Sequence, residues 1–531
     1  MRERLSNPDL AYRRRWITLA VLCVSLMVIV LDNTILNVAL PTLAKPHRLG
    51  GIAASASQEQ WIVDAYTLVF AGLLLTAGSL GDRFGRYRTL AGGLTVFGFG
   101  SALSAFTSSP HALIATRALM GIGGAFIMPS TLSILTNVFT DPRERLKAIG
   151  LWAGVAGLST IGPVTGGFLL SHYWWGSVFL VNVPLVIGGL IAGYFFVPDS
   201  RDPAKPRLDP IGALLSIVAL GTLLWSVIEA PTRGWGSTSI VSGFIGGALL
   251  LAGFIAWEVH TPHPMLQMQF FENRRFTAAS GAITLTFFSL FGMLFILTQY
   301  LQIVLGFSAV KAGALLLPQG AVMLVFAPLS SVWVGKFGNK RVVAGGLVIV
   351  AASLVLLAGV NEHTGALVVV GLTALMGLGM ANVMAPATDS IMGSLPRAKA
   401  GVGSAVNDTT RQAGGAIGVA VLGSVLASRY HSRVIHLLGK GFPFLAGAKD
   451  NVAAAKGFAI ANPAAQPVRA QILHAANASF VSGMHIAAAL AAVTIVLTAI
   501  MVVILLPARA PDVQDEPAVD ADLPAAKVGA R

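Results

Sequence analysis

The 531-residue chain is 55% hydrophobic and only 11% charged, with a mean hydropathy of +0.75, a balance that excludes a soluble globular protein. Its formal charge of +13 gathers in the connections between apolar runs, so it reads as membrane topology and anionic-lipid contact, with no nucleic-acid partner. A helix needs about 20 apolar residues to cross ~30 Å of hydrocarbon, and runs of that length divide the chain into roughly fourteen spans. The first six are Trp16 to Leu40, Trp61 to Leu80, Thr89 to Phe106, Ala112 to Val138, Ala148 to Leu170 and Trp174 to Val197. Two more, Ile211 to Ile228 and Ile240 to Trp257, follow the polar, Pro-bearing segment Pro198 to Pro210. The last six are Phe276 to Leu301, Ala312 to Val334, Val342 to Val360, Ala366 to Met392, Val402 to Leu426 and Phe480 to Leu506.

These runs predict an all-α polytopic membrane protein. Residues 1–198 form a six-helix bundle, 199–262 a linker with two accessory transmembrane helices, 263–506 a second six-helix bundle and 507–531 a flexible tail. Lysine and arginine are retained on the cytoplasmic side during insertion, and they concentrate in alternate connections, which places both termini inside. Six basic residues that break the rule (Arg429, Arg433, Lys440, Lys449, Lys456, Arg469) sit in the long connection before the last span, where the bias weighs little. No cleavable signal is expected, because the first apolar run is too long for one. Cys23 is the only cysteine, so neither an internal disulfide nor a thiolate metal site is expected.

The tight turn GSLGDRFGRYR, Gly78 to Arg88, joins the second and third spans. Gly78 opens the motif, Gly81 and Gly85 permit close approach of the two helices, and Arg83, Arg86 and Arg88 are expected at anionic headgroups. Asp82 has no general purpose in such a turn. VGKFGNKR, Val334 to Arg341, echoes it about 250 residues later, and the glycine pair Gly166 and Gly167 returns at a similar offset as Gly414 and Gly415. Two related halves follow, the arrangement that places a transporter's substrate site near the midplane.

Buried charges are the candidate machinery. Asp32 lies roughly 13 Å below the outer surface at 1.5 Å per residue. A lone carboxylate there costs ~3 kcal/mol to insert and is expected to trade protons or hold a cation; a structural carboxylate hydrogen-bonded to Asn33, Thr34 or another helix is the alternative. Arg117, roughly 9 Å deep, lies at a comparable level and is expected either to pair with Asp32 or to tether helices through backbone carbonyls. Asp64 sits closer to the edge, an interfacial cap as readily as a coupling group. Asp408 and Arg411, three residues apart on span thirteen, either neutralise each other or mark a polar pathway. Asp389 and Glu229 are expected to be solvated anchors, and His260 and His263 lack a metal-ligand constellation. In span five Gly150, Gly154, Gly162 and Gly166 make one smooth face, and Pro163 is expected to bend its outer third. Phe287, Phe288, Phe291 and Met293 either line a cavity or pack the helix. Neither Gly335-Lys336 nor Gly439-Lys440 is followed by Ser or Thr, so no Walker loop is present, and no HExxH or nucleophile elbow offers a catalytic site.

Four motifs in order resemble the major facilitator superfamily and, within it, the fourteen-span drug:proton antiporter family. They are LDNTILNVALP (Leu31 to Pro41), GSLGDRFGRYRTL, RALMGIGGA (Arg117 to Ala125) and GVAGLSTIGPVTGG (Gly154 to Gly167), joined by NDTTRQAGGAIG (Asn407 to Gly418). The resemblance implies export of hydrophobic or cationic compounds in exchange for protons, a proton-relay role for Arg117, and a span-five motif (Gly162, Pro163, Gly166, Gly167) that limits leak. Asp82 either caps the third span or docks at the amino end of a helix of the other half; the resemblance implies the second, which the repeat places near Ala400 and Gly401, with Gly335 replacing the acid in the second half. The expected partners are small substrates, protons and membrane lipids, with no cofactor or metal; a periplasmic adaptor is left open. A monomer in a bacterial cytoplasmic membrane is expected. Proton-coupled uptake of a small solute, export of an endogenous lipid or secondary metabolite, and a sensor that binds without transport are the alternatives.

Overall fold

The computed structural model describes residues 12–43, 51–54, 56–155, 157, 161–202, 209–438 and 452–507. All regular structure among them is helical. The first half comprises α1 (Arg15–Leu43), α2 (Ala56–Phe84), α3 (Arg86–Ala105), α4 (Pro110–Val138), α5 (Pro142–Gly154), α6 (Ile161–His172) and α7 (Asn182–Phe196), the last preceded by the single turn Ser177–Leu180. An accessory pair follows, α8 (Pro210–Arg233) and α9 (Thr238–His260). The second half holds α10 (Arg274–Gln299), α11 (Ala309–Phe337), α12 (Asn339–Leu357), α13 (Ala366–Met392), α14 (Ala400–Leu438), α15 (Val452–Ala461) and α16 (Arg469–Leu505).

Local chemistry sets the helix starts. Pro110, Pro142 and Pro210 occupy first-turn positions where a missing N–H costs nothing, and Ser109, Asp141 and Asp209 before them accept from exposed backbone N–H groups. The two tight joints are glycines in the left-handed region, Gly85 at φ 114° and Gly338 at φ 82°, at matching places in the repeat.

Twelve helices among the described residues are long and apolar enough to cross a bilayer. Helices also occupy the other two expected span positions, but they fall short of that measure. One is α3, 20 residues whose glycines, serines and opening arginines dilute its hydropathy. The other is span five, which is divided into α5 of 13 residues and α6 of 12. The break precedes Pro163. Pro163 is the third described residue of α6, and the bend the sequence places there adjoins residues outside the described ones. The Pro163 side chain and residues 158–160 lie outside the described residues, as does the whole tail after Pro507.

Within each half the helices pack pairwise, α4 on α2 and α3, α13 on α11 and α12, α14 on α10 and α16. The halves meet chiefly through α2 on α14 and α5 on α11, two contacts that the repeat interchanges. The accessory pair sits beside one of them: α8 leans on both α2 and α14, and α9 lies outside it on α8. Large apolar side chains such as Leu214, Leu249, Leu367 and Ile504 are exposed on the outer surface, where lipid replaces water as the surrounding medium.

Candidate functional site

In the first half a polar centre is buried among five helices. Glycines make it reachable: Gly121 of α4 rides on the Tyr66 carbonyl of α2, and Gly123 on the backbone of Phe97 in α3, so both neighbours close on the turn after Arg117. Arg117 Nη1 donates to Asp32 Oδ2 at 2.5 Å, Nε donates to the Ile62 carbonyl at 3.0 Å, and the guanidinium lies 4.5 Å from the Tyr66 ring centroid. Asn182 of α7 donates to Asp32 Oδ1 at 3.2 Å and to Ser101 Oγ at 3.1 Å, while Ser101 donates to the Phe179 carbonyl. Asp32, Arg117, Asn182 and Ser101 are all buried. Asp32 is thus not a lone carboxylate but one held by Arg117 of α4 and Asn182 of α7. Arg117 does both jobs considered for it, pairing with the acid and tethering α2 through a carbonyl. Asp64 is half-buried on α2, two residues from Ile62.

A second cluster closes the end of the molecule that carries the α2–α3 turn. Asp82 Oδ1 accepts from the Gly401 N–H at 3.0 Å and Oδ2 from the Val402 N–H at 3.1 Å, so the carboxylate faces the positive end of α14. Arg86 donates to Asp82 through Nε and Nη2, and Nη2 also reaches the carbonyls of Arg397 and Ala398. Gly78 lies so close to Gly401 that a Cβ there would stand 2.5 Å from its carbonyl oxygen. Arg86 is 1% exposed, so it does not sit at a headgroup as expected; fastening Asp82 is what takes it inside. Arg83 is half-buried, and Arg88 is exposed and pairs with Asp199 at 3.1 Å.

Asp389 also departs from expectation. It is 9% exposed rather than solvated, because Arg145 at the start of α5 reaches across from the first half and pairs with it at 3.0 Å, with Arg275 at 3.8 Å. Glu229 is likewise buried, paired with Arg233 one turn on.

Asp408 and Arg411 are both buried, but among the described residues no salt bridge joins them. Asp408 Oδ1 accepts from Asn407, whereas Arg411 donates to Thr388 Oγ1 and lies between Trp152 of the first half, at 5.1 Å, and Phe287 of the second, at 5.4 Å. Met293 is buried and Phe291 exposed, so the span-nine candidates do not share one surface. The glycine face of span five is divided too. Gly150 and Gly154 meet α11 in the other half, while Gly162 and Gly166 meet Thr34 and Ile35 of α1. Gly81 faces Thr89 and Ser130, and Gly167 is half-buried.

Sequence reasoning missed Asn182, Ser101, Arg145 and the depth of Asp389. A signal existed for two of them: Asn182 is a polar residue inside an apolar run, and Arg145 follows Pro142 as Lys399 follows Pro396.

The chain matches the family model described as Major Facilitator Superfamily over residues 22–419. It is 37% identical to the multidrug efflux pump LfrA of Mycolicibacterium smegmatis, covering 92% of this chain and 96% of that protein. It is 34% identical to the methyl viologen resistance protein SmvA of Salmonella typhimurium, covering 92% and 97%. With the tetracenomycin C resistance and export protein of Streptomyces glaucescens the identity is 37%, over 78% of this chain and 77% of the other. Among solved structures, the human organic anion transporter MFSD10 superposes with a TM-score of 0.60 at 15% identity, covering 92% of this chain and 99% of that one. The proton:xylose symporter XylE gives 0.55 at 14%, covering 93% and 96%, which speaks for the fold alone.

Proposed function

Because the chain belongs to the major facilitator superfamily and is a multi-pass membrane transporter rather than an enzyme, we propose that it expels hydrophobic, often cationic compounds in exchange for protons. The relatives named for efflux and resistance, aligned along nearly its whole length, support export. The buried Asp32–Arg117 pair carries the proton-coupling part of the reading. In this reading α3 and the divided α5–α6 complete fourteen spans, both termini lie in the cytoplasm of a bacterium, and the protein works as a monomer. The Asp82 cluster is then the inner gate, closed in the state described.

The chemistry follows from two alternative neutralisers of one acid. A proton arriving from outside cancels the Asp32 charge and leaves the Arg117 guanidinium with only Ile62, Tyr66 and neutral neighbours, which destabilises the arrangement around it. The halves then rock, the inner gate parts, and drug entering from the cytoplasm favours the ionised acid and proton release inside. Only a ligand or proton with unequal affinity for the two states can drive such a shift.

Everted membrane vesicles energised to an acid interior test the proposal. Wild-type protein accumulates lipophilic cations and Asp32→Asn does not. Full gradient-driven accumulation by the variant removes Asp32 from coupling, and substrate entering intact cells together with protons reverses the direction proposed. Binding without flux would make the protein a sensor.

A further inference from the structure

The polypeptide that leaves α7 toward the accessory pair is bonded across the gate turn. The Asp202 N–H donates to the Asp82 carbonyl at 2.7 Å, and the Arg86 N–H donates to the Ser200 carbonyl at 2.9 Å. The Tyr87 N–H adds a bond to Asp199 Oδ1 at 3.3 Å. Gly85 is needed for this docking, since a Cβ there would stand 2.6 Å from the Asp199 carboxylate. Residues 199–202 are thereby fixed to the first half at the residue that closes the gate.

The side chain of Asp202 then points to the other half. It is 2% exposed, and its Oδ2 lies 3.2 Å from Lys399 Nζ. Lys399 ends the short turn Arg397–Lys399 that leads into α14, the stretch whose carbonyls Arg86 also holds. The repeat gives this pair meaning. Lys399 follows Pro396 as Arg145 follows Pro142, so the helices that form the two contacts between halves, α5 and α14, each begin with a cation. Arg145 finds its acid in the opposite half, Asp389 near the end of α13. The corresponding end of α4, Pro129 to Val138, holds no acid at all.

We propose that the linker supplies the missing acid: Asp202 is a gate-positioning residue that holds Lys399 against the first half, making the linker and its accessory pair a working part of the inner gate. α8 leans on α2 and α14, the two helices that this strap joins, so separation of the halves at the inner end has to break the Asp202–Lys399 pair in every cycle. The inference rests on the transport cycle proposed above.

Cysteines at 202 and 399 in a Cys23→Ser background, bridged by a short reductant-cleavable bifunctional methanethiosulfonate, test it in reconstituted vesicles; an aspartate–lysine contact leaves the backbones too far apart for a direct disulfide. Bridging is expected to abolish proton-driven flux and reductant to restore it. Flux that continues through bridged protein overturns the proposal, and so does failure of the two positions to be bridged. Where the cysteine pair is inactive before bridging, the swap Asp202→Lys with Lys399→Asp decides. Recovery above either single change supports a gate pair, and no recovery overturns it. Wild-type vesicles run in parallel, so a protein that transports yet ignores the bridge separates failure of this inference from failure of the efflux reading.

Discussion

Breaking a buried ion pair from one side leaves an uncompensated charge at a cost of about 3–5 kcal/mol, whereas removing both partners is far milder. Arg117→Ala is therefore expected to lower the melting temperature in detergent more than the double change Asp32→Asn with Arg117→Gln, and both are expected to lose proton-coupled flux. A double variant no more stable than the single would mean that the pair is not a thermodynamic unit. Asn182→Ala removes a single donor to Asp32, worth about 1 kcal/mol. It is expected to keep transport and shift its pH profile, measured as flux against outside pH. Asp32 and Arg117 were legible as single letters, because a charge inside an apolar run has few bland explanations. Asn182 gave only a faint signal, since an amide is cheap enough in such a run to pass without notice.

Helices here are arranged by small residues, and their substitution costs differ with what lies opposite. Gly78 faces the Gly401 carbonyl across the seam, so Gly78→Val is expected to prevent gate closure and abolish uphill transport while the protein still inserts. Gly335, which stands where the repeat's first copy has Asp82, has nothing within contact of an added Cβ, so Gly335→Ala is expected to transport at nearly wild-type rate. Vesicle flux with protein quantified on gels checks both, and equal damage at the two positions would contradict the packing described. The sequence located the turn and its echo because glycine and arginine punctuate sharply. It misjudged span five: a period of four suggested one face, but α5 and α6 are separate helices that turn their glycines toward different neighbours.

At the scale of the molecule, opposite-charge pairs at the end that carries the α2–α3 turn join halves that are far apart in sequence. Asp389→Arg or Arg145→Asp alone is expected to lower flux by placing like charges together. The two combined are expected to recover much of it, since an exchanged pair restores the attraction. Recovery would be read as initial rate of substrate accumulation; its absence would reduce the contact to incidental packing.

Hydropathy, basic-residue placement and the repeated turn depend only on neighbours along the chain, and so membrane class, helical architecture and a two-half plan could be read directly from the residues. The landing place of Asp82 followed too once the family resemblance implied docking, because the repeat converts one local motif into a distant address. Which charges are buried, and with whom, depends on how each helix is rotated and which surface of the other half it meets. Only the tertiary structure could draw Arg86 inside, turn Asp389 from an anchor into a bridge, and lay the linker's Asp202 across the seam.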